Sequence, residues 1–197
     1  MRYPSGLNKE FIKEKRFDNR GMNLEDDLNI TNDYYLYNNI ACIYKKPTPI
    51  KIVKVDYPNR SNSKITEAYF KIPSTTDYNG IYKGKYIDFE AKETQSLNFP
   101  LENIHDHQIK HLNTVYSMGG IAFIIVYFSK TSDIYLLEIK EFNNFINTNH
   151  RKSIPITYFK DKGYKLEYKY NPRIDYLKII DTIINMEVSN EKENKKD

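Results

Sequence analysis

The chain has 197 residues, of which 40% are hydrophobic and 28% are charged, which is the composition of a globular protein of one domain. No apolar run approaches the ~18 residues of a membrane span, and the first residues lack the apolar core of a signal peptide. The single cysteine, Cys42, excludes an intramolecular disulfide, and we expect a cytoplasmic protein. The net charge of +4 is too small to indicate a nucleic-acid partner by itself.

The N-terminal part of the chain contains two segments that differ in charge. Residues 1–18 are basic and poor in apolar residues, and we expect a flexible arm that either lies along DNA or has no role. A helix is predicted from Gly21 to about Asn39, because apolar residues recur at helical spacing and acidic residues occupy its first turns. The position of Glu25 in the first turn is explained by the helix dipole. Arg20 is either simply exposed or in contact with phosphate.

Basic residues are concentrated between Lys45 and Lys71. This stretch follows a predicted strand at 40–44 and contains two further predicted strands, 50–57 and 65–72, separated by a polar turn. It has seven basic residues and two acidic ones. The basic residues are Lys45, Lys46, Lys51, Lys54, Arg60, Lys64 and Lys71. Lysines that project from a strand pair either keep a sheet edge soluble or bind a phosphate backbone.

Residues 74–92 predict a β-hairpin. Two runs rich in tyrosine, isoleucine and phenylalanine are separated by a turn around Gly80 and Gly84. Side chains two positions apart on a strand point to the same face. Three charged side chains of the second run therefore share one face: Asp88, Glu90 and Lys92.

These charged residues suggest a nuclease centre. Asp77 begins the first strand of the hairpin, where it can lie opposite Glu90 and Lys92. Carboxylate oxygens suit Mg²⁺, and a lysine beside them can orient an attacking water or stabilise the charge that develops on phosphorus. Asp88 either supports this site or is solvated. Alternating charge on a wet strand face is the competing explanation, and the small residue Ala91 in E-A-K favours the site.

The remaining segments alternate as in an α/β protein. We predict a helix from Asn103 or His105 to Met118, a strand buried on both faces at Ile121–Phe128, a strand at 133–139 and a short helix at 140–148. Residues 154–168 show no regular pattern, and 174–188 predict an amphipathic helix. Residues 19–188 are thus predicted to form one domain with an insertion at about 45–71, followed by a disordered tail at 189–197.

The order and spacing of seven motifs resemble those of the RecU family of Holliday-junction resolvases, members of the PD-(D/E)xK, restriction-endonuclease-like superfamily. The motifs are N-R-G-M at 19–22, K-K-P-T-P-I at 45–50, Y-P-N-R-S at 57–61, E-A-Y-F at 67–70, P-S-T-T-D-Y-N-G at 73–80, Y-I-D-F-E-A-K-E-T at 86–94 and H-D-H-Q-I at 105–109. The resemblance is strong over residues 18–128 and looser beyond. Departures are a short loop at 95–98 and Tyr44, where a histidine is more typical of the family.

The resemblance implies an α/β fold with a restriction-endonuclease-like mixed central sheet, flanking helices and a protruding basic stalk at about 45–71. It implies a Mg²⁺ site, with Mn²⁺ as an alternative, whose ligands are Thr75, Asp77, Glu90 and Gln108. Lys92 would be the transition-state stabiliser, and Glu25 a secondary catalytic candidate. The implied DNA-binding residues are Arg20, Lys45, Lys46, Lys51, Lys54, Arg60 and Lys64.

The implied activity is that of a structure-selective endonuclease that resolves Holliday junctions by symmetric paired nicks during recombination and DNA repair. Symmetric nicks require two active sites related by a two-fold axis, and we therefore expect a homodimer. A recombinase and branch-migration proteins are further expected partners. The alternatives are a non-catalytic protein that binds branched DNA on the same fold, and a related nuclease with another DNA substrate. The presence of Asp77, Glu90 and Lys92 together favours an active enzyme.

Overall fold

A computed structural model describes residues 23–56, 63–71 and 75–193. They form five α-helices and ten strands, with a 3-10 turn at Leu101–Asn103. The helices are α1 (Leu24–Tyr37), α2 (Asp106–Ser117), α3 (Ile139–Thr148), α4 (Ile156–Lys162) and α5 (Leu177–Glu193). The strands are β1 (Cys42–Lys45), β2 (Ile50–Asp56), β3 (Lys64–Phe70), β4 (Tyr78–Tyr82), β5 (Lys85–Thr94), β6 (Asn98–Pro100), β7 (Ile121–Phe128), β8 (Asp133–Glu138), β9 (Ser153–Pro155) and β10 (Tyr164–Leu166). Among these described residues, no helix is long and apolar enough to cross a membrane.

A mixed sheet of six strands, in the order β1-β4-β5-β7-β8-β10, forms the centre of the molecule. Only β5 and β7 pair in parallel, and the other neighbours are antiparallel. Every residue of β7 is buried, as the continuous apolar run predicts. One hydrophobic core contains residues of α1 and α5, such as Leu28 and Ile180, and a second contains residues of α2, α3 and α4, such as Leu112 and Phe142. The predicted class, a mixed α/β sheet flanked by helices, is confirmed.

The β4–β5 hairpin is closed by a two-residue turn. Tyr82 pairs with Lys85, and the intervening Lys83 and Gly84 both have positive φ, of 48° and 77°. Two successive residues of positive φ match the right-handed twist of the flanking strands, which is the usual backbone conformation of a two-residue hairpin turn. Gly80, predicted to lie in the turn, is instead in the middle of β4. A Cβ atom there would lie 2.1 Å from the carbonyl oxygen of Cys42, so β1 passes too close for any side chain.

The stalk (residues 45–71) leaves the sheet between two strands that are direct neighbours. β1 and β4 pair from Cys42 opposite Ile81 to Lys45 opposite Tyr78, and the chain between them forms a separate two-stranded sheet of β2 and β3. All but one residue of β2 and every residue of β3 are exposed. The base of the stalk is fixed by a hydrogen bond of 2.9 Å from the backbone N–H of Lys71 to the carbonyl oxygen of Pro49.

The C-terminal third is more regular than the sequence pattern predicts. The prediction of irregular structure at 154–168 is wrong, because β9, α4 and β10 lie there. These elements have three, seven and three residues, which is too short to produce a recognisable period. Helix α5 runs to Glu193, so the first part of the predicted disordered tail at 189–197 is helical. The predicted basic arm, residues 1–18, lies outside the described residues.

Candidate active site

Asp77 and Glu90 are brought together by the register of the β4–β5 pair. Tyr78 pairs with Phe89, which places Asp77 opposite Glu90 as the hairpin pattern predicts. The backbone N–H of Asp77 donates to Oε2 of Glu90 at 3.1 Å, and the N–H of Ala91 donates to Oδ2 of Asp77 at 3.2 Å. Each carboxylate is therefore oriented by the backbone of the opposite strand. Glu90 is fully buried, whereas Asp77 is half-buried and opens the pair to solvent.

Lys92 lies beside this pair on the same face of β5. Its Nζ atom is 2.5 Å from Oε1 of Glu90, and its side chain is 28% exposed. Burial, together with the neighbouring charge of Asp77, raises the pKa of Glu90 to about 7, although Lys92 acts in the opposite direction. A buried carboxylate with its pKa near neutrality, next to a second carboxylate, is short of positive charge. The site is therefore suited to a cation.

Gln108 reaches the same carboxylate from the helix that covers the sheet. Its Nε2 donates to Oε1 of Glu90 at 2.7 Å, and its Oε1 accepts from the backbone N–H of His105 at 2.9 Å. The second contact is half of a capping box at the start of α2. Gln108 is thus at the predicted place, but its amide oxygen is occupied by the helix cap. To bind a metal through its oxygen, the side-chain amide of Gln108 would have to rotate so that Oε1, instead of Nε2, faces Glu90.

Thr75 and Glu25 lie at the margin of the site. Thr75 is exposed and its Oγ1 is 3.1 Å from Nζ of Lys46. The Glu25 carboxylate is half-exposed and is paired with Lys45. The backbone carbonyl of Glu25 accepts a bond of 3.2 Å from the hydroxyl of Tyr78. Helix α1 is thereby tied to β4 immediately next to Asp77, which keeps Glu25 close without directing its carboxylate into the site.

Asp88, which the sequence analysis left as either a supporting residue of the site or solvated, is a second buried carboxylate. It is 0% exposed, and its Oδ2 atom has Nζ of Lys46 at 2.8 Å, the hydroxyl of Tyr86 at 2.9 Å and Nε2 of His111 at 3.0 Å. The hydroxyl of Thr76 donates to Oδ1. Asp88 is therefore neither solvated nor a loose neighbour of Glu90. It is the centre of a buried polar cluster.

The predicted DNA-binding residues fall into three groups. Lys51, Lys54 and Lys64 are exposed on the stalk strands, as predicted. Lys45 is ion-paired with Glu25, and the Lys46 side chain is only 14% exposed. The ammonium group of Lys46 lies against Asp88 in the free protein, and its role in DNA binding stays a prediction. Arg20 and Arg60 lie outside the described residues.

The donors present fit a hard divalent cation held in part by a substrate. Across the described ranges, no cluster of three or more histidine, cysteine, aspartate or glutamate side chains is arranged to hold a metal. The oxygen donors that converge are the carboxylates of Asp77 and Glu90. Mg²⁺ keeps several waters and is typically held by one or two carboxylates together with phosphate oxygens, so this small donor set is the one expected for it.

Comparison with known proteins identifies the family. Residues 19–182 match the model of the family described as RecU, recombination protein U. The chain is 52% identical over 195 residues to proteins named Holliday junction resolvase RecU from Bacillus thuringiensis (strain Al Hakam), Bacillus cereus (strain AH820) and Bacillus anthracis (strain CDC 684 / NRRL 3495), covering 93% of this chain and 98% of each relative. A solved structure, that of Archaeoglobus fulgidus Hjc, a Holliday junction resolvase, matches with a TM-score of 0.42 and 13% identity over 74% of this chain and 95% of that one. The chain belongs to the RecU family.

Proposed function

We propose that this protein is a structure-selective endonuclease that resolves Holliday junctions with Mg²⁺, or alternatively Mn²⁺, as cofactor. The observation that carries the proposal is the convergence of Asp77, Glu90 and Lys92 on one sheet face at the base of an exposed basic stalk. Family membership supports the same substrate, because the relatives at 52% identity are named as Holliday junction resolvases. The products would be paired nicks with 5′-phosphate and 3′-hydroxyl ends.

Each residue of the site would have a separate task. Asp77 and Glu90 would hold the metal, with Thr75 at the rim and Gln108 against Glu90. The metal, when bound, would neutralise charge on the phosphodiester and lower the pKa of the attacking water. Lys92, whose Nζ atom contacts Glu90 in the free protein, would turn toward the substrate and stabilise charge that develops on the phosphoryl oxygens.

The stalk would supply selectivity for branched DNA. Its strands are exposed on both faces and carry Lys51, Lys54 and Lys64 away from the hydrophobic cores. Apolar side chains accompany them, and Tyr69 and Phe70 are 60% and 85% exposed. A narrow, basic and partly aromatic projection suits the open centre of a four-way junction, where phosphates surround unstacked bases.

A homodimer would supply the two symmetric nicks. On the face of the sheet that α2 covers over β5 and β7, the edge strand β1 and its neighbour β4 leave apolar side chains exposed, including Tyr44 (52%) and Ile81 (57%). These two lie on the same face as Asp88, because Ile81 pairs with Tyr86 and Tyr44 with Asn79. A second copy of the chain is the occupant that junction symmetry requires. A recombinase and branch-migration proteins remain predicted partners, and the cytoplasm, where the DNA is, remains the predicted location.

Cleavage of a synthetic four-way junction tests the proposal. Wild-type protein in Mg²⁺ should produce symmetric nicks with 5′-phosphate ends that a matched linear duplex in excess does not suppress. Asp77→Ala should bind the junction in Ca²⁺ with unchanged affinity and cleave at least ~100-fold more slowly, because it loses a metal ligand. Junction binding without cleavage by the wild type would make the protein a binding module. Equal cleavage of duplex and junction would leave the chemistry and remove the substrate assignment.

A further inference from the structure

The buried cluster around Asp88 lies between the stalk and the candidate active site. Lys46 is the first residue after β1, where the chain leaves the sheet for the stalk. Its Nζ atom is 2.8 Å from Oδ2 of Asp88, 2.5 Å from Oγ1 of Thr76 and 3.1 Å from Oγ1 of Thr75. Nε2 of His111 is 3.5 Å away. One ammonium group therefore contacts both threonines that precede Asp77.

The backbone of Lys46 makes a second connection to the same segment. Its N–H donates to the carbonyl oxygen of Asp77 at 2.7 Å. Side chain and backbone together fix three consecutive residues, 75–77, which form the point where the returning arm of the stalk enters β4. Asp88, the acceptor on the other side of the Lys46 ammonium group, is itself held in place. It lies on β5, two residues from Glu90, and accepts a hydrogen bond from the hydroxyl of Tyr86.

We infer that Lys46 is a positioning residue that fixes Thr75 and Asp77 relative to Glu90 and so couples the base of the stalk to the metal site. The inference rests on the proposed nuclease function, since it assigns a role toward that site. Residues 46 and 75–77 are the two points at which the stalk joins the sheet, so a movement of the stalk would displace these residues first. Lys46 holds both points to Asp88.

Burial distinguishes this role from a DNA contact. The side chain of Lys46 is 14% exposed and that of Asp88 is 0% exposed, so the ammonium group is committed to protein acceptors. Lys51, on the exposed stalk strand β2, is the contrasting case of a lysine free to meet phosphate. A lysine that neutralises a DNA phosphate contributes about one unit to the salt dependence of binding, whereas a positioning lysine contributes none.

Metal binding, measured separately from DNA binding, tests the assignment. Mn²⁺ affinity is measured by electron paramagnetic resonance, and junction affinity in Ca²⁺ at several salt concentrations. Lys46→Met should weaken Mn²⁺ binding about 10- to 100-fold, the usual effect of removing a partner that orients a ligand. Its junction affinity and salt slope should stay as in the wild type. Lys51→Met should do the reverse, with a salt slope reduced by about one unit.

Two further single variants and one double variant keep the test decisive. Lys165→Met removes another ion-paired lysine, 2.6 Å from Asp133 at the far edge of the sheet, and should leave Mn²⁺ and junction binding unchanged. Asp88→Asn keeps the shape of the cluster but not its charge, and should weaken Mn²⁺ binding as Lys46→Met does. The double variant of Lys46 and Asp88 should be no weaker than the weaker single variant, because both break one contact.

The outcomes separate this inference from the proposed function. Normal Mn²⁺ affinity in Lys46→Met, a reduced salt slope in that variant, or losses that multiply in the double variant would each overturn the positioning role and leave the nuclease site intact. If Lys46→Met does not fold, Asp88→Asn decides by the same measurements. Mn²⁺ binding that survives Asp77→Ala would show that the metal site itself is misplaced, and would overturn both.

Discussion

Replacing Glu90 with glutamine should stabilise the metal-free protein at pH 8 and have little effect at pH 4.5. Glu90 is fully buried beside Asp77, and its pKa is raised to about 7 by burial and by that neighbouring charge. The folded state therefore holds the proton more tightly than the unfolded state, where the pKa is near the ordinary value of 4.5. The favourable contribution of protonated Glu90 is complete below pH 4.5 and is lost as the pH rises to about 7.

The size of the effect follows from the difference between the two pKa values. Each tenfold difference in proton affinity is worth about 1.4 kcal/mol, so an increase from 4.5 to about 7 corresponds to roughly 3 kcal/mol. Glutamine has the same shape and no proton to lose. The free energy of unfolding of Glu90→Gln, minus that of the wild type, should thus grow by about 3 kcal/mol between pH 4.5 and pH 8.

Urea unfolding in EDTA, followed by circular dichroism at half-unit pH intervals, measures this difference. Glu102→Gln, at an exposed glutamate, controls for the removal of one carboxylate. Saturating Mg²⁺ at pH 8 should stabilise the wild type by about 2.7 kcal/mol at one hundred times Kd, and Glu90→Gln far less. A difference between variant and wild type that is flat with pH would refute the argument that Glu90 is an uncompensated buried carboxylate.

Three further predictions concern catalysis and packing. Lys92→Met should lower kcat on a four-way junction about 10²–10³-fold with unchanged binding in Ca²⁺, and a loss confined to binding would contradict its role. Gly80→Ala should lower the free energy of unfolding in urea by about 3 kcal/mol, because its Cβ would lie 2.1 Å from a backbone oxygen. Gly84→Ala has open space around its Cβ and should cost only about 1 kcal/mol, for its positive φ. Equal costs would contradict the close approach of β1 to Gly80. Arg173→Met should lower the free energy of unfolding by about 3 kcal/mol, because Asp27, whose side chain is 5% exposed, loses the guanidinium group at 2.5 Å. If the unpaired charge of Asp27 is the cause, adding Asp27→Asn should recover part of that loss.

The β4–β5 hairpin, which carries the candidate site, was predictable from sequence because its pattern depends on residues close together in the chain. Alternation with a period of two fixes which side chains share a face, and a turn between the two runs brings the start of the first strand back to the end of the second. Together they place Asp77 opposite Glu90, as the structure shows. The turn itself was predicted too broadly, since Gly80 and Gly84 look alike in sequence. Only the approach of β1 to β4, a contact between strands distant in the chain, explains the glycine at position 80.

The polar cluster was not predictable in the same way, because it depends on three elements that meet only in the fold. Strand parity alone puts Asp88 on the face of Glu90, but the burial of Asp88 requires the cover of α2 and its His111. The two adjacent lysines, Lys45 and Lys46, gave a weak indication of the cluster, because neighbouring residues of a strand point to opposite faces. Ile43 points into the core, so Lys45 shares its side and meets Glu25 of α1, whereas Lys46 takes the opposite side and meets Asp88.

The stalk is inserted between two directly paired strands, so it can be exchanged for another segment without changing the sheet. The ladder between β1 and β4 closes beneath it, so the chain between them can lengthen or shorten at a small entropic cost, about 0.6 kcal/mol for each doubling. The stalk, for which we propose the contact with DNA, can therefore be replaced without rebuilding the candidate active site. The exchange has two fixed boundaries, since a new projection must begin after Lys46 and rejoin the sheet before Thr75.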